Sequence, residues 1–96
     1  MLIDKGISPG EVVTIKLNSG EEIIARLVEE NGLFTKISKP LVLSMTQQGI
    51  GMMPYLFTVN PDKDIKINNG TIAVMVPTDK QFADQYLSST TGIKLT

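Results

Sequence analysis

The chain has 96 residues, with nine basic and ten acidic side chains and a formal net charge of −1, so no global positive field draws in nucleic acid. It contains neither cysteine nor histidine, which excludes disulfides and thiolate metal sites and removes the commonest zinc and iron ligands. A single domain over residues 1–96, with one modest core, is expected.

The lead MLIDKGISPGE carries an acid at Asp4 and too short an apolar run for the core of a signal peptide. No apolar run elsewhere reaches the roughly 18–20 residues that span a bilayer, so a soluble, cytoplasmic protein without a membrane partner is expected. Pro9-Gly10 breaks the lead. Glu11–Leu17 then alternates, with Val13, Ile15 and Leu17 on one face, which marks a half-buried strand. Asn18-Ser19-Gly20 closes a tight turn, and Glu21–Glu30 resumes the alternation with both faces partly apolar, so this strand is expected to be covered on both sides. EEIIARLVEE also has the composition of a short helix, but turn signals bracket only ten residues, and the strands on either side offer it a hairpin.

Asn31-Gly32 is the strongest hairpin signal in the chain, and a third strand follows from Leu33 to Met45. Pro40 removes a ladder donor in its middle, so the strand must bend, bulge or lie at an edge there, as in a small, strongly curved barrel. After the polar loop Thr46–Gly49, a fourth strand is predicted over Ile50–Asn60, with Met53, Tyr55, Phe57 and Val59 sharing one face. An apolar strand with Pro54 inside it suits an edge, and such an edge calls for a covering partner. Asn60–Asp64 reads as a turn, Ile65 and Ile67 as a short strand, and Asn68-Asn69-Gly70 as a further hairpin. Thr71–Val76 reads as a strand buried on both faces. Pro77 stops it, and Thr78 and Gln81 fit a capping box that opens a helix over residues 78–88, with Phe82, Ala83, Tyr86 and Leu87 as its apolar stripe. The pattern does not decide whether Ile93 to Thr96 docks or frays.

Catalytic chemistry finds no support in these residue types. Without histidine or cysteine, only a Ser-Lys or carboxylate pair would remain, and the paired acids at Glu21-Glu22, Glu29-Glu30 and Asp62/Asp64 sit at turns and strand ends, where solvated charge belongs. Asp62-Lys63-Asp64 lacks the spaced oxygens and closing glutamate of a calcium loop, and Gly49-Ile50-Gly51 is too short for a dinucleotide fingerprint. No enzyme, cofactor, metal or small-molecule substrate is expected. For nucleic acid, Arg26 is the single guanidinium and the eight lysines are scattered, though symmetry in an assembly multiplies a single loop lysine into a circle of them. Phe34, Tyr55, Phe57, Phe82 and Tyr86 are the aromatic residues available for stacking, with Phe57 and Phe82 assigned to the core by periodicity.

The stretch Glu11–Met45 resembles the first signature of the Sm/LSm family, which includes bacterial Hfq. Val13, Ile15 and Leu17 lead to the turn glycine Gly20, with Ala25 where the family prefers glycine and Leu27 at its leucine. Asn31 stands at the aspartate of the following turn, Phe34 at the methionine and Thr35 at the asparagine. The second signature, a strand running into Ile-Arg-Gly, would fall on Met75-Val76-Pro77 and lacks the arginine and glycine.

The resemblance implies an all-β fold: a small, strongly bent, five-stranded Sm-like (SH3-like) barrel over about residues 10–77, followed here by the C-terminal α-helix. It also implies a homo-oligomeric ring of five to seven subunits, in which the fourth strand of one subunit pairs with the fifth of the next. The interface then draws on Met53, Tyr55, Phe57, Val59, Ile72 and Val74. The turn after the second strand and the end of the fifth face the pore, where the family binds unpaired RNA. Carried over by position, the nucleic-acid-binding candidates are Asn31, Leu33, Thr35 and Val76, with Gly32, Lys36 and Thr78 as neighbouring donors. The expected function is a non-enzymatic ring binding RNA or single-stranded DNA in nucleic-acid processing. The competing expectation is an SH3-like structural or adaptor module for protein assembly.

Overall fold

The computed structural model of the chain describes residues 2–3 and 6–90; Ile93–Thr96, whose docking the sequence leaves open, lie outside the described residues. Alternation builds the first hairpin as expected. Strands β1 (Leu2–Ile3), β2 (Val12–Leu17) and β3 (Glu22–Glu30) open the chain, and β2 pairs antiparallel with β3 so that Ile15 faces Ile23 and Val13 faces Ala25. All four of these side chains are fully buried. Removing such an isoleucine from water contributes about 1.5–3 kcal/mol. Gly20 closes the turn with a φ of 110°, a conformation open to glycine without strain.

Strand β4 (Phe34–Thr46) is continuous across Pro40, and the accommodation is a bulge. Ile24 pairs with Leu41 and Arg26 with Ser38, so Ala25 stands opposite both Lys39 and Pro40. Lys39 takes a φ of 50° there, which costs a non-glycine residue roughly 1–2 kcal/mol. Its surroundings hold it in place: the Lys39 carbonyl accepts from the Tyr86 hydroxyl at 2.9 Å, and its ammonium donates to the Thr90 carbonyl at 3.0 Å.

Beyond the bulge the sequence expectations need correcting. The fourth strand predicted over Ile50–Asn60 is only β5 (Gly49–Pro54): the Tyr55 amide makes one last in-register bond to the Pro40 carbonyl at 3.1 Å, and Pro40 has no N–H to return it, so the pairing with β4 stops there. Tyr55 packs against the core, while residues 55–64 form a loop, with the turn at Asn60–Lys63 where predicted. Strand β6 (Ile65–Asn68) then pairs with the first part of β4, whose second part holds β5. Asn68-Asn69-Gly70 does not make a hairpin. A 3₁₀ turn at Asn69–Thr71 carries the chain from β6 to β7 (Ile72–Pro77), and β7 pairs with β2 on the opposite side of the sheet. Strand β7 is fully buried on one face only, at Ile72 and Met75.

Among the described residues the ladders run β1-β7-β2-β3-β4-β5, with β6 on β4 and β1 parallel to β7. This is a mostly antiparallel all-β sheet, open rather than closed into the five-stranded barrel that was expected. It nevertheless curls: side chains from β2, β3, β4, β6 and β7 meet in one core cluster that includes Ile15, Leu27, Ile37, Ile67, Ile72 and Met75. The ladder stays open because β6 and β7 are joined through the 3₁₀ turn without pairing to each other.

Helix α1 (Lys80–Thr90) starts two residues later than predicted. The capping box is not made. The Thr78 hydroxyl lies 2.9 Å from that of Thr14, and the first helical bond runs from the Ala83 amide to the Asp79 carbonyl. The stripe itself is right: Tyr86 is buried and Phe82, Ala83 and Leu87 are half-buried, with Phe82 near Thr14, Ile24 and Leu43. This helix covers Ile24, which the second apolar face of β3 required. No described helix is long and apolar enough to cross a membrane.

Burial holds the Tyr86 hydroxyl above its ordinary value of 10.0, against the opposing pull of nearby Arg26. The unfolded phenol ionises at the lower, ordinary value, so its stabilisation is complete below about pH 10 and is lost as pH rises through the raised native value. Urea denaturation should therefore show wild type losing stability more steeply than Tyr86→Phe under alkaline conditions, with the two curves converging. A gap that does not change with pH would show that the phenol ionises freely in the fold.

Candidate nucleic-acid interface

The turn between β3 and β4 is built by Asn31. Its carboxamide oxygen accepts from the amides of Leu33 at 2.8 Å and Phe34 at 3.0 Å, and its own amide donates to the Phe34 carbonyl at 3.0 Å. An asparagine that folds its side chain onto the following amides is a stable local turn, which is why it serves here. Leu33 stands at the tip, 79% exposed, beside exposed Gly32.

The turn is fastened from outside by Asn69, in the 3₁₀ turn that precedes β7. Asn69 Nδ2 donates to the Asn31 carbonyl at 2.7 Å, its backbone amide donates to the Leu33 carbonyl at 3.0 Å, and its Oδ1 accepts from the Thr35 hydroxyl at 2.7 Å. Thr35 is fully buried and Asn69 nearly so, and no buried side-chain nitrogen or oxygen among the described residues lacks a partner. A buried network in which every member is satisfied holds its geometry firmly. The adjacent turn joins in, as Asn18 donates to the Gly70 carbonyl at 2.9 Å and its amide to the Thr71 carbonyl at 2.8 Å.

Of the residues proposed from sequence, Asn31, Gly32 and Leu33 thus form one exposed tip. Thr35 lies beneath it, too buried to touch a ligand, so its part is to position the turn. Lys36 is half-buried on the outer face of β4 and lies 3.6 Å from a carboxylate oxygen of Glu29. Val76 and Thr78 do not join this group: Val76 pairs with Thr14, and Thr78 sits with Thr14 and Phe82 at the start of α1. The place predicted for them is taken by Asn68–Gly70 at the other end of β7.

Three contributors escaped the sequence reading. Asn69 was hidden in what looked like a hairpin turn. Asn68 caps the 3₁₀ turn, its Oδ1 accepting from the Gly70 amide at 2.8 Å. Lys66 is exposed on β6 directly opposite Lys36, with its ammonium 4.7 Å from the centre of the Phe34 ring. The alternation of Ile65 and Ile67 into the core was the available signal, since it turns Lys66 outward.

The proposed interface residues divide as well. Met53 (46%), Phe57 (73%) and Val59 (44%) are exposed, together with Met45 (81%) and Ile50 (44%) on the β4–β5 hairpin, so Phe57, in the 55–64 loop rather than on a strand, is not the core residue its alternation implied. Ile72, at 2%, belongs to the core and leaves no surface for a partner, and Val74 is half-buried. Groups of acids able to hold a metal ion do not occur among the described residues. Neither a protein-family model nor a curated protein matches the chain.

Proposed function

We propose that the protein is a non-enzymatic, Sm-like subunit of a homo-oligomeric ring that binds RNA or single-stranded DNA through the Asn31–Leu33 tip, repeated around a pore, in nucleic-acid processing. One observation carries this reading: the turn with the spacing of the first Sm signature is locked by Asn69 onto the segment entering the last strand. Stacking and backbone contacts do the work, without chemistry. An aliphatic Leu33 at the tip offers a base an apolar surface, and Phe34 beside it an aromatic one.

Ring assembly is supported by the outer edge of β5, which has no partner strand among the described residues, and by its exposed Ile50 and Met53, since such an edge is otherwise a template for uncontrolled pairing. The edge of β7 that would receive it carries Leu2 and Ile3 beside Val74 and Met75, so this short pair gives way when the contact forms. Phe57→Lys is the clean interface variant, because Phe57 is exposed whereas Tyr55 also packs into the subunit core. Light scattering should show its mass falling toward the 10.5 kDa of one chain, with subunit stability changed by less than about 0.5 kcal/mol. An unchanged mass would place the interface elsewhere.

The SH3-like adaptor reading draws on a groove of about 310 Å³ lined by Pro40, Leu41, Pro54, Leu56, Val59 and Ile65. Fluorescence anisotropy with short uridine-rich RNA, adenine-rich RNA and DNA oligomers separates the two readings. Binding that strengthens as salt falls supports the ring. A correctly assembled protein that binds none of them at low salt leaves the adaptor.

A further inference from the structure

We propose that Lys36 and Lys66 form a contact site for the sugar-phosphate backbone of a single-stranded nucleic acid, on the outer face of the β4–β6 ladder; this rests on the nucleic-acid reading above. The two lysines are direct antiparallel partners, so both side chains leave the same face of the sheet from neighbouring strands. Like charges in that position repel, and the arrangement is relieved when an anion sits between them. Lys36 has Glu29 at 3.6 Å, while Lys66 has no carboxylate within ion-pair distance among the described residues. The Phe34 ring, 4.7 Å from the Lys66 ammonium, holds that charge outward over the same face.

The neighbouring groups fit the same ligand. Phe34 pairs with Asn68 two residues along the ladder toward the tip, on the same face. The carboxamide oxygens of Asn31 and Asn68 are both taken by backbone amides, which leaves their NH₂ groups as outward donors. From the Asn31 tip to the lysine pair, the strip therefore offers donors and one aromatic ring. That matches a strand whose phosphates supply only acceptors and whose bases can stack. An anionic chain entering at the tip runs along the strip over the two ammonium groups, so each subunit adds its own phosphate contacts.

The test is the salt dependence of binding to a labelled single-stranded oligonucleotide, measured on the assembled protein. In single strands each neutralised phosphate contributes a slope of about 0.7 in log K against log salt. Lys66→Gln and Lys36→Gln should each lower the slope by about that amount for every subunit the strand touches. Lys63→Gln, a charge-matched change in the 55–64 loop, should leave it unaltered. Thermal unfolding of each variant checks that the sheet is intact. Oligonucleotide binding whose slope ignores Lys36 and Lys66 would overturn this site and leave the nucleic-acid function standing. A wild-type ring that binds an acidic peptide but no oligonucleotide would overturn both.

Discussion

Replacing Asn69 with alanine is expected to destabilise the protein by about 1–3 kcal/mol, the range for leaving buried polar groups without partners. For a domain of this size that is a fall in melting temperature of roughly 5–20 °C. The truncation strands the Thr35 hydroxyl, which is fully buried, and frees the Asn31 carbonyl, since both bonds run to the one carboxamide. The backbone bond from residue 69 to Leu33 survives, so the 3₁₀ turn stays near the tip while the tip itself loosens. Thr35→Val in the Asn69→Ala background removes the stranded hydroxyl and should recover part of the loss. A double-mutant cycle by chemical denaturation measures this. Additive single effects would show that the two side chains act independently. The same variant should weaken oligonucleotide binding, because an unfastened tip must be ordered when the ligand arrives.

Tyr86→Ala is expected to be the most damaging single change outside the main core cluster, at about 3–5 kcal/mol, as for other large aromatic truncations. Tyr86 is 1% exposed, and its single hydroxyl proton is shared between the carbonyls of Ser38 and Lys39, at 3.1 and 2.9 Å. Without it, α1 loses its hold on the bulge, and Lys39 keeps an unfavourable φ with one restraint fewer. The core cluster contains no α1 residue, so the sheet should persist while the helix detaches. Amide hydrogen exchange would then show lost protection over residues 80–90, with Ile15, Ile23 and Ile24 still slow in the sheet. Uniform loss across the sheet would mean that helix and sheet unfold as one unit.

The order in which these elements can be read from sequence follows the range of the forces that set them. β2, β3 and the first half of β4 are local: period-two alternation and the turns at Asn18–Gly20 and Asn31–Gly32 determine them, and the structure agrees. The second apolar face of β3 announced a cover, which is α1, and the helix stripe named the residues that provide it. Past Pro54 the outcome depends on partners distant in sequence. Asn-Asn-Gly signals a turn but does not say which strands it joins; β6 goes to β4 and β7 to β2 because Ile67 and Ile72 complete the same core from opposite ends of the sheet. Pro40 signalled a bend, yet the strained residue is Lys39. β1 is two residues long and has no periodicity to read.

The site shows the same division. The Asn31 turn was legible because an asparagine followed by glycine has a local meaning, and its spacing from Gly20 and Leu27 resembles a known signature. Asn69 and Lys66 acquire their roles only when β6 lies against β4. Placing the second signature at Val76 followed the strand into its far end, whereas the core turns the near end, at Asn68–Gly70, toward the tip.

Sedimentation velocity of the protein with a labelled single-stranded oligonucleotide, at low and at raised salt, reads assembly and binding together. A nucleic-acid-binding Sm-like ring predicts that the label travels with a species five to seven times the 10.5 kDa subunit and separates from it as salt rises. A 10.5 kDa species sedimenting beside free oligonucleotide at low salt would contradict it.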